Sequence, residues 1–453
     1  MTRLRAFWHE VNASYWFYPA LFSILAVMLA FATIWMDRQG WAGFLGDIPS
    51  LIPARPDGAS NMLTVIAGSM IGVASTVFSI TIAAVAYASG NYGPRLLTNF
   101  MEDRGNQLSL AVFIATFVYA LVVLRSVRGG DEAPTDLTEA VADAIPGFVP
   151  QLSLLVAFAL TGVAVAVLVY FLNHIPASIR INTVLKGIGQ RLLDQIDHRF
   201  PDEADGDERP EKPKGKPIRC AGTGYIQLID YDALQSVAHD HGGDIVMDVR
   251  VGDFVHAAVA IADWCPREDG DAEPPYAAIR DCYAMGSRRT PSQDLNFLVD
   301  ELAEIALRAL SPGINDPFTA ITALHWMGAA VAELGQRDLR HDLHIENVAP
   351  GASRVWPLND TFQDYVDRGF GAIRSGAATN RIAAGVFLDV LGDAATLIGA
   401  RERRACLLRE ANLLREQARL ELRGPELEEV EARYDLALKI LAREGLEATL
   451  DGL

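Results

Sequence analysis

Four stretches of nearly unbroken apolar residues, 17 to 36, 62 to 88, 107 to 127 and 150 to 173, dominate the chain before residue 175. Each approximates the ~20 residues with which a helix crosses a ~30 Å hydrocarbon layer. Asp, Glu, Lys and Arg occur only at their ends. The first run follows basic residues, as in a signal peptide, but it is long and bulky and lacks a small-residue cleavage site, so it reads as a retained span.

Beyond the fourth run the pattern changes. Residues 200 to 217, FPDEADGDERPEKPKGKP, are charged and proline-rich with almost no large apolar groups, the composition of a flexible link. Short alternating segments follow, Tyr225 to Ile229 and Asp244 to Val249, around a brief helix, with a turn at Val251-Gly252-Asp253. From Ser292 the period lengthens: Leu295, Leu298, Leu302, Ile305, Ala306 and Leu310 mark one amphipathic helix, and Phe318, Ile321, Leu324, Met327, Gly328 and Val331 the next. From residue 401, two charge-rich helices are separated by the Arg423-Gly424-Pro425 break. The pattern predicts a membrane α-helical protein. A four-span transmembrane domain (1–190) leads through a charged linker (191–217) to a small α+β module (218–288) and a mostly α-helical cytoplasmic domain (289–453).

Charge orients this arrangement. The 453-residue chain carries a net charge of -18, with most acidic residues after position 200. Arg3 and Arg5 precede span one, Arg95 and Arg104 lie between spans two and three, and Arg180, Lys186 and Arg191 follow span four. The opposite loops hold Arg38 and Arg55, and Arg125 and Arg128 followed by an acidic run. The bias of basic residues predicts a multi-pass protein of the bacterial inner membrane with both termini in the cytoplasm. Tryptophans 8, 16, 35 and 41 bracket the first span as interfacial aromatics.

Candidate chemistry is sparse. Cys220, Cys265, Cys282 and Cys406 have no repeated spacing and read as single core cysteines. His239 with His241, and His341 with His344, lack a third ligand, so no metal is expected. The GTG at 222 to 224 has neither the spacing nor the lysine of a nucleotide loop, and no cofactor is expected. There is no GxSxG elbow, no framed pair of carboxylates and no Cys/His pair, so no motif selects a reaction. Acidic residues interleave the basic clusters near the C-terminus, which argues against nucleic acid as a partner.

Span two stands apart. Gly68, Gly72, Ser75, Ser79 and Ala83 recur at three- or four-residue intervals. Such residues let helices pack closely in lipid; they also suit a pore, where hydroxyls and backbone replace part of an ion's hydration. In the second reading Ser75, Thr76 and Ser79 line the path, and Arg95 and Arg104 shape its cytoplasmic entrance or hold acidic lipid. His174, just past the last apolar run, is either an end-of-helix polar group or a pH-responsive latch.

Residues 75 to 128, STVFSITIAAVAYASGNYGPRLLTNFMEDRGNQLSLAVFIATFVYALVVLRSVR, together with SPGINDPFTA at 311 to 320, resemble the two hallmarks of a bacterial family of predicted four-span membrane proteins of unknown function (DUF2254). Asn91 and Tyr92 stand where that family often carries Gln and Phe, which retains an amide and an aromatic ring. The resemblance implies a four-span membrane region followed by a soluble region, and no established chemistry.

The second motif also reads locally. Pro312 and Gly313 end one helix, and Asp316-Pro317 supplies the N-cap and first position of the next. That accounts for Pro312, Gly313, Asp316 and Pro317. Ser311, Asn315 and Thr319 are less required by the joint and, with Asp316 and the helix N-terminus, are candidates for contact with an anionic ligand or another subunit. The leading expectation is an oligomeric inner-membrane ion channel, with anions among the cargoes considered and the lipid bilayer and further copies of the chain as partners. The alternative is a non-conducting scaffold or ligand-sensing protein.

Overall fold

The computed structural model describes residues 14–41, 55–93, 103–129, 148–202, 212–267, 273–340 and 353–442. Two compact units emerge, one within His9–Arg180 and the other from Ile181 onward.

The first unit holds the four long apolar helices, α1 (Phe17–Arg38), α2 (Pro56–Tyr92), α3 (Arg104–Leu124) and α4 (Gln151–Ser178). The second and fourth outrun the apolar stretches that predict them. Pro56 occupies a first helical position, where its missing N–H is no loss, and starts α2 six residues early. Pro176 lies inside α4, which ends two residues later at Ser178. Half of the apolar window of α3 is buried, against 22% to 33% for the others, so α3 is the central helix. Ala30, Ala111, Ala120 and Ala157 are fully buried and allow close helix approach, while Leu63, Phe113 and Phe171 fill the space between.

Polar ties close one end of this bundle. Asp37, near the end of α1, accepts from the Leu152 and Ser153 amides at 2.9 and 3.0 Å and from the Ser153 hydroxyl at 2.7 Å, so it caps α4 from another helix. Tyr119 joins Thr33 of α1 (2.9 Å) to the Ser153 carbonyl (3.2 Å). Buried hydroxyls and amides find partners here because lipid offers none.

The second unit begins with α5 (Ile181–Arg199), whose Leu185, Ile188, Leu192 and Ile196 form a buried stripe at helical spacing. Residues 191 to 199, drawn from the sequence as the start of a linker, complete this helix. Two sheets follow. Strands β1 (Lys216–Arg219), β5 (Ala260–Pro266), β3 (Gly243–Met247) and β7 (Val355–Trp356) form one, in the order β1-β5-β3-β7. The other has the order β4-β2-β6, from Phe254–Val255, Gly224–Ile229 and Tyr283–Gly286. The pairings are antiparallel except β3 with β7. Helices α6 (Tyr231–Asp240) and α7 (Tyr276–Asp281) accompany the sheets, around a core of Ile226, Ile245, Trp264 and Tyr283. The segment carrying β7 returns from beyond residue 288, so the sheet draws on both soluble segments defined by composition.

The remainder is helical: α8 (Leu295–Ala309), α9 (Pro317–Leu334), α10 (Phe362–Val366), a π-helical turn (Asp367–Gly371), α11 (Ala372–Ala378), α12 (Arg381–Thr396), α13 (Arg401–Glu421) and α14 (Pro425–Leu441). Gly424 turns α13 into α14 at φ +56°, the left-handed conformation glycine accepts at no steric cost. An ion-pair network ties the start of α8 to the π-helical turn. Arg289 reaches Asp294, the N-cap of α8, at 2.7 Å and Asp300 at 2.6 Å, and Arg368 reaches Asp300 at 2.6 Å. Burial works to raise the Asp300 carboxyl, but the Arg368 guanidinium, with Arg289 behind it, overcomes this and holds it below the ordinary 3.8.

Candidate functional site

Helix α2 uses one side against its own chain. Ala59, Leu63, Ile66, Ala67, Met70, Ala74 and Val77 are buried, at the three- and four-residue intervals of a helix face. The small-residue stripe lies elsewhere. Gly68, Gly72, Ser75, Thr76, Ser79 and Ala83 are exposed, and a Cβ added at Gly68 or Gly72 would meet nothing within 4 Å. The stripe therefore does not serve packing within this chain.

The three candidate lining hydroxyls share one geometry. Ser75 donates to the Ile71 carbonyl at 2.9 Å, Thr76 to Gly72 at 3.0 Å and Ser79 to Ser75 at 2.8 Å, each one turn back along α2. A hydroxyl whose proton is held by the backbone offers only oxygen lone pairs to its surroundings. In this conformation the face accepts and does not donate.

Near one end of the bundle the structure assembles a group from distant sequence positions. Asp103 caps α3, accepting from the Gly105 amide at 2.7 Å and the Asn106 amide at 3.4 Å. Its carboxylate also takes His174 of α4, with Nε2 at 2.8 Å from Oδ2 and 3.0 Å from Oδ1. Because a carboxylate only accepts, Nε2 carries a proton, and the Tyr170 hydroxyl lies within hydrogen-bond distance of Nδ1 at 3.3 Å. The Tyr170 and His174 rings stack with centroids 5.1 Å apart. Gly105 permits this approach: a Cβ there would lie 2.7 Å from both His174 Nε2 and Tyr170 Oη. His174 is thus a tie between α4 and the cap of α3.

Arg104 opens α3 and is exposed, while Arg125, also exposed, follows its other end. At 1.5 Å per residue the two ends are ~30 Å apart, so these arginines do not share a site. Pro94 and Arg95 lie outside the described residues, as do His341 and His344. No cluster of three or more His, Cys, Asp or Glu side chains suited to a metal occurs among the described residues.

The 311 to 320 joint is more fully occupied by structure than its sequence suggests. Ser311 Oγ donates to the Arg308 carbonyl at 2.6 Å. Asn315 adopts φ +52°, the left-handed region that Asn tolerates better than most residues, and its amide donates to the Ser311 carbonyl at 2.9 Å. Asp316 accepts from the Thr319 amide (3.2 Å) and hydroxyl (2.6 Å), the expected N-cap with a second bond added. Ser311, Asn315 and Thr319 thus each have a part in the joint. The joint leaves Ile314 and Phe318 exposed, at 44% and 69%.

The family described as predicted membrane protein (DUF2254) matches residues 12–393, which takes in all four apolar helices, both sheets and the joint. Uncharacterized proteins of Mycobacterium bovis and of two Mycobacterium tuberculosis strains are 30% identical over 334 residues, covering 72% of this chain and 61% of theirs. The chain thus matches about three-fifths of the length of these relatives. No solved structure matches it significantly. With four membrane-length helices and a match that runs through them into the second unit, the chain belongs to the DUF2254 family of predicted membrane proteins.

Proposed function

We propose that the protein is a homo-oligomeric ion channel of the bacterial inner membrane, with both termini in the cytoplasm and α2 lining the conducting path. The observation that carries this reading is the exposed glycine and hydroxyl face of α2. A face of glycines and serines gains little from lipid, whereas around an axis it offers oxygen to a passing ion. Because the Ser75, Thr76 and Ser79 protons are held by carbonyls, the lining favours cations over the anions first suggested by Arg95 and Arg104. Arg104, exposed at the start of α3, then contacts acidic lipid headgroups.

The soluble unit serves assembly or gating in this reading. A second reading, a non-conducting scaffold or ligand sensor, draws on the exposed Ile314 and Phe318 at the joint. Flux from proteoliposomes holding the full-length protein separates the two. The channel reading predicts release of potassium ahead of chloride, reduced by Ser79→Leu. Equal silence of correctly assembled wild type and variant favours the scaffold.

A further inference from the structure

The joint SPGINDPF, residues 311 to 318, combines a closed backbone with outward apolar side chains. The Ile314 and Asn315 amides donate to the Ser311 carbonyl at 3.1 and 2.9 Å, and the Asp316 amide donates to the Ala309 carbonyl at 2.7 Å. Both carboxylate oxygens of Asp316 are engaged by Thr319, so the acidic side chain of the loop serves its own helix. Pro312 and Pro317 fix φ on either side. Ile314 and Phe318 remain exposed. Exposure alone says little, since Leu397 at the end of α12 is exposed as well. Position in the fold distinguishes the joint.

Helix α5 starts at Ile181, three residues beyond the end of α4 at Ser178, so the chain itself keeps that start within ~10 Å of the last membrane-length helix. Contacts inside the second unit show what shares this end. Gln195 of α5 donates to the Pro291 carbonyl at 3.0 Å and Arg191 pairs with Glu301 of α8 at 3.7 Å, so α8 runs antiparallel to α5 and its last turn arrives at the first turn of α5. Helix α9 runs parallel to α5. The Trp326 ring fills the space beside Gly189, and farther along Arg337 reaches Asp197 at 2.7 Å and the Phe200 carbonyl at 3.2 Å. Phe318 and Ile181 each lie eight residues, or ~12 Å, before the meeting of Trp326 and Gly189. The joint is therefore level with the start of α5, the end of the unit that the chain tethers to the membrane. Leu397 lies at the opposite end, because its neighbour Ile398 packs against Gly335 at the close of α9. Exposed Arg180 and Lys186 flank the start of α5. Basic side chains in such a place meet lipid phosphates while apolar neighbours enter the acyl boundary.

We propose that the joint is a bilayer-contact element, with Ile314 and Phe318 dipping into the interface of the membrane that α4 leaves and with Arg180 and Lys186 against acidic headgroups. The occupant of this apolar tip is lipid, continuous with the lipid around α4. A loop whose backbone hydrogen bonds are already closed enters that region without presenting unpaired amides. Its prolines and caps hold both side chains outward before contact, so little ordering is left to be done there. The inference is independent of conduction through α2.

Site-directed spin labelling of the full-length protein in vesicles of phosphatidylethanolamine and phosphatidylglycerol tests it. A Cys406→Ser parent removes the partly exposed thiol, and failure of that parent to take up label shows that Cys220, Cys265 and Cys282 are still buried. Ile314→Cys, Phe318→Cys and Leu397→Cys, each added to this parent, then carry one nitroxide at an exposed position. Power saturation reads collisions with oxygen, which concentrates in lipid, and with a nickel chelate confined to water. The ratio of oxygen to nickel accessibility is expected to be several-fold higher at positions 314 and 318 than at 397. Nickel access at 314 and 318 equal to that at 397 overturns the proposal. So does exclusion of both reagents: accompanied by spin–spin broadening that unlabelled protein dilutes away, it puts a second copy over the joint, and without broadening it puts another protein segment there.

Discussion

Gly105 is a residue whose substitution reads out the contact around it. The shortest side chain would press on His174 and Tyr170 at 2.7 Å, so Gly105→Ala forces the Asp103–His174 pair apart. We expect a loss of about 1–3 kcal/mol in thermal unfolding of the solubilised protein, as for other overpacked sites. The loss shrinks in a His174→Ala, Tyr170→Phe background, where the crowding atoms are gone; an undiminished loss there would contradict the assigned contact. Asp300 offers a second test at this scale, through pH. Its carboxyl is held below its ordinary value in the fold, so its contribution is present above pH 3.8 and disappears as pH falls through the folded value. Asp300→Asn is therefore expected to destabilise on the order of 2 kcal/mol at pH 7, with an effect that begins to shrink only below about pH 4. A penalty that grows on acidification would contradict the Arg289 and Arg368 pairing.

At the scale of elements, what could be read in advance was what is local. The spans were visible because twenty apolar residues in sequence have no other cheap solution in lipid, and the Asp316-Pro317 start of α9 because a cap and its helix are neighbours. The left-handed turn at Asn315 was not foreseen, since Asn tolerates positive φ without requiring it. His174 reads from sequence as a helix-end polar group or a pH-responsive latch without a named partner, because Asp103 lies 71 positions away. If the joint is an architectural device, Asn315→Gly should leave stability nearly unchanged, while Asn315→Val, which resists positive φ, costs about 1–2 kcal/mol. Equal losses in the two variants, in urea or thermal unfolding, would instead point to the Asn315 side chain itself.

For the whole molecule, the decisive question is what covers the open face of α2. The bundle buries Ala59 through Val77 on one side of that helix and leaves Gly68, Gly72, Ser75, Thr76 and Ser79 to its surroundings. Membrane-length helices were legible from the chain alone, and family membership agrees with them. Conduction is a step further, since a small-residue face serves a subunit interface as readily as a path. Single-channel recording in planar bilayers, with a potassium chloride gradient and Ser79→Leu measured beside the wild type, separates these directly. The account predicts unitary currents that reverse toward the potassium equilibrium potential and fall in conductance in the variant. Wild-type protein that is assembled yet silent across pH and voltage, or a current untouched by Ser79→Leu, would contradict it.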